Sequence, residues 1–288
     1  KETTMSHGPL LHALPLTDAA LDLQRLGHDT PPPPTLDTLR RLQLRHTQVF
    51  AFETLATLLH GPVPIDLPAL GRKLLHEGRG GYCYELNRLY LALLQRLGFA
   101  VRPLTGRVVM GGPEDALTAR THLLLLVELD DEAWITDVGF GGMVPTGPLR
   151  LATEEAQQTP HEDYRLQRLV DGDYLLRAQV AGAWRAMYRF DLQQPAAIDL
   201  EVGNWYVSTH ADSPFLGQLV VARTGPGVRR TLHNGSHAVH RLGEPSQRQQ
   251  LRTVDAVLDV LQADFGIRVP EHAALRPTLA RLLAQAPA

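Results

Sequence analysis

The feature that most constrains this chain is a change of pattern near residue 100. Before it, apolar residues recur at helical intervals; after it, short β-rich runs alternate with turn residues. Thr17-Asp18 supplies a capping signal for a first helix, which Gly27 closes. A second helix begins at the Pro31–Pro34 run, since prolines suit a first turn but not an interior. It carries Leu36, Leu39, Leu42 and Val49 at helical spacing. A third is predicted from about Cys83 to Leu97. Its Leu86, Leu89, Tyr90, Leu93, Leu94 and Leu97 form one apolar stripe, and Gly98 follows as a left-handed cap. From Ala100 onward, VRPLTGRVVM, THLLLLVEL and EAWITDVGF read as strands. More strands follow, with turns at Asp171-Gly172, Ala181-Gly182 and Asn234-Gly235. The chain closes on TVDAVLDVLQADFGI and a helix rich in Ala, Leu and Arg. Helices first, strands in the middle and a mixed end argue against a doubly wound sheet, which needs the two in alternation. The fold class is α+β.

Composition narrows the partners. The net charge of −3 over 288 residues gives no general attraction to nucleic acid or anionic membrane. Apolar runs such as Leu123–Val127 are strand-sized and far short of the ~18 residues a membrane span needs. There is one cysteine, Cys83, which rules out an intrachain disulfide and any Cys-only zinc site. A lone thiol fits a reducing, cytoplasmic setting. The first residues show no basic segment ahead of an apolar one, so no secretory leader is expected. Lys1–Thr4, ahead of Met5, read as a vector remnant.

Chemistry concentrates in EGRGGYCYELNRLY, residues 77–90. Gly78, Gly80 and Gly81 lead straight into the third helix, with Cys83 at its first turn. A helix N-terminus presents unpaired N–H groups and partial positive charge, which favour a thiolate and can hold an oxyanion. A buried structural cysteine at a helix start fits the same residues. Partners shift that balance. A thiolate at neutral pH wants an imidazolium beside it, and the imidazole wants a carboxylate to orient it. His122 opens one strand and Asp137 closes the next, 15 residues on (137 − 122). A turn at Leu129–Glu132 would bring both to the same end of a hairpin.

RGGYCYELN resembles the Arg-Gly-Gly-X-Cys-X-Glu-X-Asn pattern of the arylamine N-acetyltransferase family. RTHLLLLV and TDVGFGG resemble that family's histidine and aspartate segments. FAFET (50–54), NWYVSTHADSPF (204–215) and VLQADFGI resemble three more of its motifs, in order. The resemblance spans about residues 20–270. It implies a core related to papain-like proteases in three parts: an N-terminal helical bundle carrying the nucleophile (5–99), an antiparallel β-barrel carrying His122 and Asp137 (100–203), and a C-terminal α/β lid (204–288). It implies a ping-pong reaction in which acetyl-CoA acetylates Cys83 and an arylamine, arylhydrazine or N-hydroxyarylamine takes the acetyl group. No metal and no bound cofactor are implied beyond that CoA substrate. Ala51 and Thr54 stand where the pattern has Pro and Asn, and Ala211 where Pro is usual. Glu53 is expected to pair with Arg79 and brace the catalytic loop, with Thr54 putting part of that network in doubt.

Phe140, directly after the Asp137 turn, either walls an acceptor pocket or anchors its loop. Phe215 resembles a second pocket aromatic, and Gly141 with Gly142 would let a pantetheine arm approach. His233, His237 and His240 flank a hairpin turn without a nearby carboxylate, so they read as surface or substrate-lining residues and not as a zinc set. Arg40-Arg41 and Arg229-Arg230 read as short basic pairs on solvated faces, contact of one of them with CoA phosphates being the lesser alternative. Other enzymes could use the same triad: a transglutaminase-like or papain-like hydrolase, or an amide synthase closing a macrocycle onto an aryl amine.

Overall fold

The computed structural model describes residues 16–285; the leader and vector-remnant readings fall outside them. The helices are α1 (Leu16–Arg25), α2 (Leu36–Val49), α3 (Leu55–Leu58), α4 (Leu67–Leu70), α5 (Cys83–Arg96), α6 (Ala197–Thr209), α7 (Val254–Ala263) and α8 (Leu275–Ala284). The strands are β1 (Phe52–Glu53), β2 (Ala100–Val108), β3 (Arg120–Leu129), β4 (Glu132–Thr136), β5 (Leu149–Arg150), β6 (Tyr164–Arg168), β7 (Tyr174–Val180) and β8 (Ala183–Phe190). The last four are β9 (Val220–Gly225), β10 (Val228–His233), β11 (Ser236–Arg241) and β12 (Gln247–Gln250).

Local chemistry sets these boundaries. The four prolines expected in the first turn of α2 lie before it. Thr35 is extended (φ −117°, ψ 162°) and its side chain accepts from Thr38 N–H, so the helix starts at Leu36. The third helix runs as its stripe predicts and stops at Gly98, φ +87°. The β3–β4 turn is Asp130-Asp131, both at positive φ (52° and 61°), between the paired Leu129 and Glu132. Two left-handed central residues match the twist of the flanking strands. Pro103 sits inside β2 because β8 pairs with that strand only from Gly106 to Val108, leaving its edge unpaired at Pro103 on that side.

Two antiparallel sheets result. The seven-stranded sheet runs β5-β4-β3-β2-β8-β7-β6 and curls into a nearly closed barrel with Leu104, Leu124, Leu126, Tyr164, Leu176 and Tyr188 inside. The five-stranded sheet runs β1-β9-β10-β11-β12. Its inner face packs on α7 and α8 through Leu219, Val221, Leu232, Val257, Leu261 and Phe265. The largest core joins α1, α2 and α5 to one face of β3, through Leu39, Leu42, Leu86, Tyr90, Leu123 and Leu125. The expected boundary at 203/204 lies within α6, and β1 of the N-terminal part completes the late sheet. No helix among the described residues is long and apolar enough to cross a membrane.

Candidate active site

Cys83 is the first residue of α5. Backbone bonding in that helix begins with Glu85 N–H and Leu86 N–H on Tyr82 C=O, at 3.0 and 2.9 Å. The Cys83 and Tyr84 amides therefore precede the helical ladder, where an N-terminus has donors to spare. The loop before Cys83 is clamped from two sides. Arg79 Nε and Nη2 donate to Glu53 Oε1 at 3.0 and 2.6 Å, so the expected pair is present. Gly81 N–H donates to Ala51 C=O at 3.2 Å and Glu53 N–H to Gly81 C=O at 3.0 Å. A Cβ on Gly80 would come within 2.1 Å of the Ala51 oxygen, so only glycine lets these backbones meet. Thr54, the departure from the resembling pattern, ties β1 to β9: its hydroxyl donates to Gln218 C=O and accepts from Val220 N–H, each at 2.9 Å.

His122 and Asp137 meet at the end of the β3–β4 hairpin opposite its turn, because Leu125 pairs with Thr136. His122 Nε2 lies 2.7 Å from Asp137 Oδ2. Four donors surround that carboxylate: His122 and the Tyr188 hydroxyl (2.9 Å) on Oδ2, the Asn87 amide (2.8 Å) and Gly139 N–H (2.9 Å) on Oδ1. Burial alone would raise its pKa, but the His122 charge and these hydrogen bonds outweigh it and hold the carboxyl below its usual range. For His122, burial acts downward, while Asp137 and then Cys83 act upward more strongly, leaving the ring pushed up to about 10. The charged form of the ring is thus favoured chiefly by the Asp137 carboxylate on Nε2 and, to a lesser degree, by Cys83. The Cys83 thiol also lies 3.5 Å from Thr121 C=O. All three side chains are nearly sealed, with exposures of 4%, 2% and 0% for Cys83, His122 and Asp137.

Two groups the sequence reading did not single out complete the site. Asn87 lies one turn beyond Cys83. It donates to Leu123 C=O (2.7 Å) and accepts from Val138 N–H (3.0 Å), fastening α5 to both ends of the hairpin. Its i+4 spacing from Cys83 was a usable signal. Tyr188 arrives from β8, and nothing in its local sequence marks it. Gly139 brings its loop close against the nucleophile: a Cβ there would stand 2.7 Å from Cys83 Cα.

The other expected residues divide. Phe140 sets its edge against His122 and Tyr188, with ring centroids 4.8 Å away in each case. Gly141 follows at φ +59° and lies over Phe52. Phe215 lies on the same Phe52 ring, packed on Phe52 and Tyr82 with centroids 5.7 and 6.1 Å away. The three histidines do not converge. His233 meets Gln218, His240 meets Ser246, and His237 Nε2 lies 2.9 Å from Asp264, a carboxylate brought in by the end of α7. Arg229, expected on a solvated face, is instead buried, with its Nη1 2.6 Å from Glu162 Oε2. The pairing of β9 with β10 turns that side chain inward beside Met143.

A thiol at a helix N-terminus, an imidazolium and an orienting carboxylate are the equipment of thiol-dependent acyl transfer. A family profile described as N-acetyltransferase matches residues 35–274. An arylamine N-acetyltransferase of Mycolicibacterium smegmatis is 43% identical over 249 residues, 85% of this chain and 90% of that protein. A Salmonella typhimurium protein named arylamine N-acetyltransferase / N-hydroxyarylamine O-acetyltransferase is 39% identical over 254 residues, 87% and 90% of the two chains. The structure of Mycobacterium marinum arylamine N-acetyltransferase in complex with CoA superposes with a TM-score of 0.85 at 41% identity, covering 90% of this chain and 97% of that one. The chain belongs to the arylamine N-acetyltransferase family and is an acyltransferase.

Proposed function

We propose that this enzyme moves an acetyl group from acetyl-CoA to arylamines, arylhydrazines or N-hydroxyarylamines by a ping-pong reaction through acetyl-Cys83. The observation that carries the reading is the 2.7 Å His122–Asp137 contact beside a thiol at the start of α5. The Cys83 thiolate, paired with the His122 imidazolium, attacks the thioester carbonyl. The tetrahedral oxyanion is met by the first amides of α5. The C–S bond to CoA breaks, and CoA leaves with the proton from His122. The acceptor nitrogen or hydroxylamine oxygen then attacks acetyl-Cys83 and gives its proton to the now neutral imidazole. Cys83 departs as thiolate, and the ion pair is restored.

Asp137 fixes the His122 ring throughout, and the Glu53–Arg79 pair braces the loop. Phe140, on the edge of His122, and Phe215 wall the acceptor side, while Gly141 leaves room for the pantetheine arm. Kinship with papain-like proteases belongs to the same reading. So do a division into a helical part ending near residue 99, a barrel and a C-terminal lid, and a cytoplasmic setting.

The test is intact mass and peptide mapping after incubation with acetyl-CoA and no acceptor. One acetyl group on Cys83, discharged by a simple arylamine, is the expected result. An unmodified Cys83 in folded, reduced protein overturns the donor, and amide hydrolysis by the same protein would replace the reading with a hydrolase. Cys83→Ala should abolish transfer; substantial turnover in that variant would sink the mechanism.

A further inference from the structure

On the side of the late sheet away from the thiol site, a cavity of about 410 Å³ opens between α2, the β9–β10 hairpin and the end of α7. Arg45, Arg223 and Arg230 line it, with Asp264 as the only carboxylate among its lining residues. Arg223 and Arg230 are directly opposed across the β9–β10 ladder. Like charges facing each other there are destabilising. Arg223 is half-buried, yet its guanidinium is met only by backbone carbonyls: Gln48 at 2.6 Å through Nε and Asp264 at 3.4 Å through Nη1. Among the described residues, neither Arg45 nor Arg223 is paired with a carboxylate. Asp264 is shared, lying 4.0 Å from Arg230 and 2.9 Å from His237. Burial, then Arg230 and Arg45, push the Arg223 pKa down, while Asp264 only partly opposes them.

Three converging guanidinium groups with one shared carboxylate leave an uncompensated positive concavity. We propose that this cavity is a binding site for a small phosphate-bearing anion, a phosphomonoester or diphosphate, separate from the acyl-transfer site. Planar guanidinium forks suit phosphate oxygens in the bidentate geometry that arginine favours. The separation follows from strand alternation. Ala222 and Thr231, the neighbouring pair in the ladder, face the active-site loop, where a Cβ on Gly142 would meet Thr231 at 3.0 Å and Ala222 at 3.8 Å. Arg223 and Arg230 project from the opposite face.

Inorganic pyrophosphate is the probe, titrated calorimetrically into the full chain at fixed ionic strength, with chloride as control. Saturable one-to-one binding is expected. The double variant Arg45→Gln/Arg230→Gln should lose at least about tenfold in affinity, while Cys83 acetylation by acetyl-CoA keeps its wild-type rate. Arg223 is left in place because it fastens α2. The variant removes repulsion, so its thermal midpoint without anion should not fall; retained acetylation shows that it is folded. Absent saturation, or affinity unchanged in the variant, overturns the proposal. Competition between pyrophosphate and CoA, with a KM for acetyl-CoA that rises in the variant, also overturns it, because the anion would then be the donor's own phosphates.

Discussion

Asp22 and Asp137 are both wholly buried carboxyl groups, on α1 and at the end of β4, and they behave in opposite ways. Asp137 is met by four donors, His122 among them, and its pKa is held below the usual range. Neither oxygen of Asp22 has a hydrogen-bond partner, and burial pushes its pKa up to about 7, against a smaller opposing effect of Arg25. On α2, the buried His46 is equally orphaned at both ring nitrogens and is pushed down to about 3 by burial, then by Arg25. Depth in the protein is the same at the two sites; the donors differ. A buried charge survives where the fold has aimed dipoles at it, and elsewhere the group discards its charge.

The largest test of this contrast is Asp137→Asn. It keeps shape but removes the charge that holds His122 protonated and oriented, so acetyl transfer should fall by about 10³- to 10⁴-fold. The measurement is the rate of Cys83 acetylation beside an unfolding curve. A loss below about tenfold would mean the four donors orient nothing that matters.

Next in size is Asp22→Asn, read against pH. A carboxyl with a folded pKa above its unfolded value binds extra protons when folded, so its contribution is present at low pH and lost as pH rises through about 7. The rise from 3.8 to about 7 corresponds to roughly 4 kcal/mol between acid and neutral pH. The asparagine variant should flatten that slope in denaturant unfolding from pH 4 to 8, and a slope unchanged from wild type would refute the assignment. Asp137 runs the other way: its pKa is depressed, so its contribution is present at neutral pH and lost as acid titrates it.

Tyr188→Phe removes one of the four donors and leaves packing intact. About tenfold in rate and about 1–3 kcal/mol in stability is expected, since hydrogen bonds to charged groups lie in that range. Equal loss in kcat and in the second-order rate constant would place the effect on the reacting state. The smallest change is His46→Leu. With no hydrogen bond to lose and similar volume, stability should move by less than about 1 kcal/mol, seen in thermal unfolding. A large loss would show that the orphaned nitrogens are in fact satisfied by buried water.

The sequence made Asp137 legible and Asp22 not. His122 and Asp137 are close in the chain, and an acidic turn between two apolar runs is enough to place them together. Asn87 was within reach of the same logic, one helical turn from Cys83. Tyr188 was not, because β2 pairs with both β3 and β8, and that sheet order is settled by packing between strands far apart in sequence. The inward turn of Arg229 onto Glu162 escaped for the same reason. Asp22 read as one polar position on an amphipathic helix. Only three-dimensional packing of α1 against α2 and α5 reveals that its side chain has been sealed in.

The two-residue strand β1 has a consequence for how the protein comes into being. Phe52 and Glu53 pair with Ala222 and Val221 on one side, and Glu53 meets the Cys83 loop on the other. The nucleophile emerges early from the ribosome, but the strand that steadies its loop is anchored by a segment made some 140 residues later (Cys83 to Ala222). A nascent chain thus carries thiol, imidazole and carboxylate well before the loop is held. Competence to react is expected to be complete only once that segment is made: a fragment ending before residue 219 should hold every reacting group yet lack the strand that anchors β1.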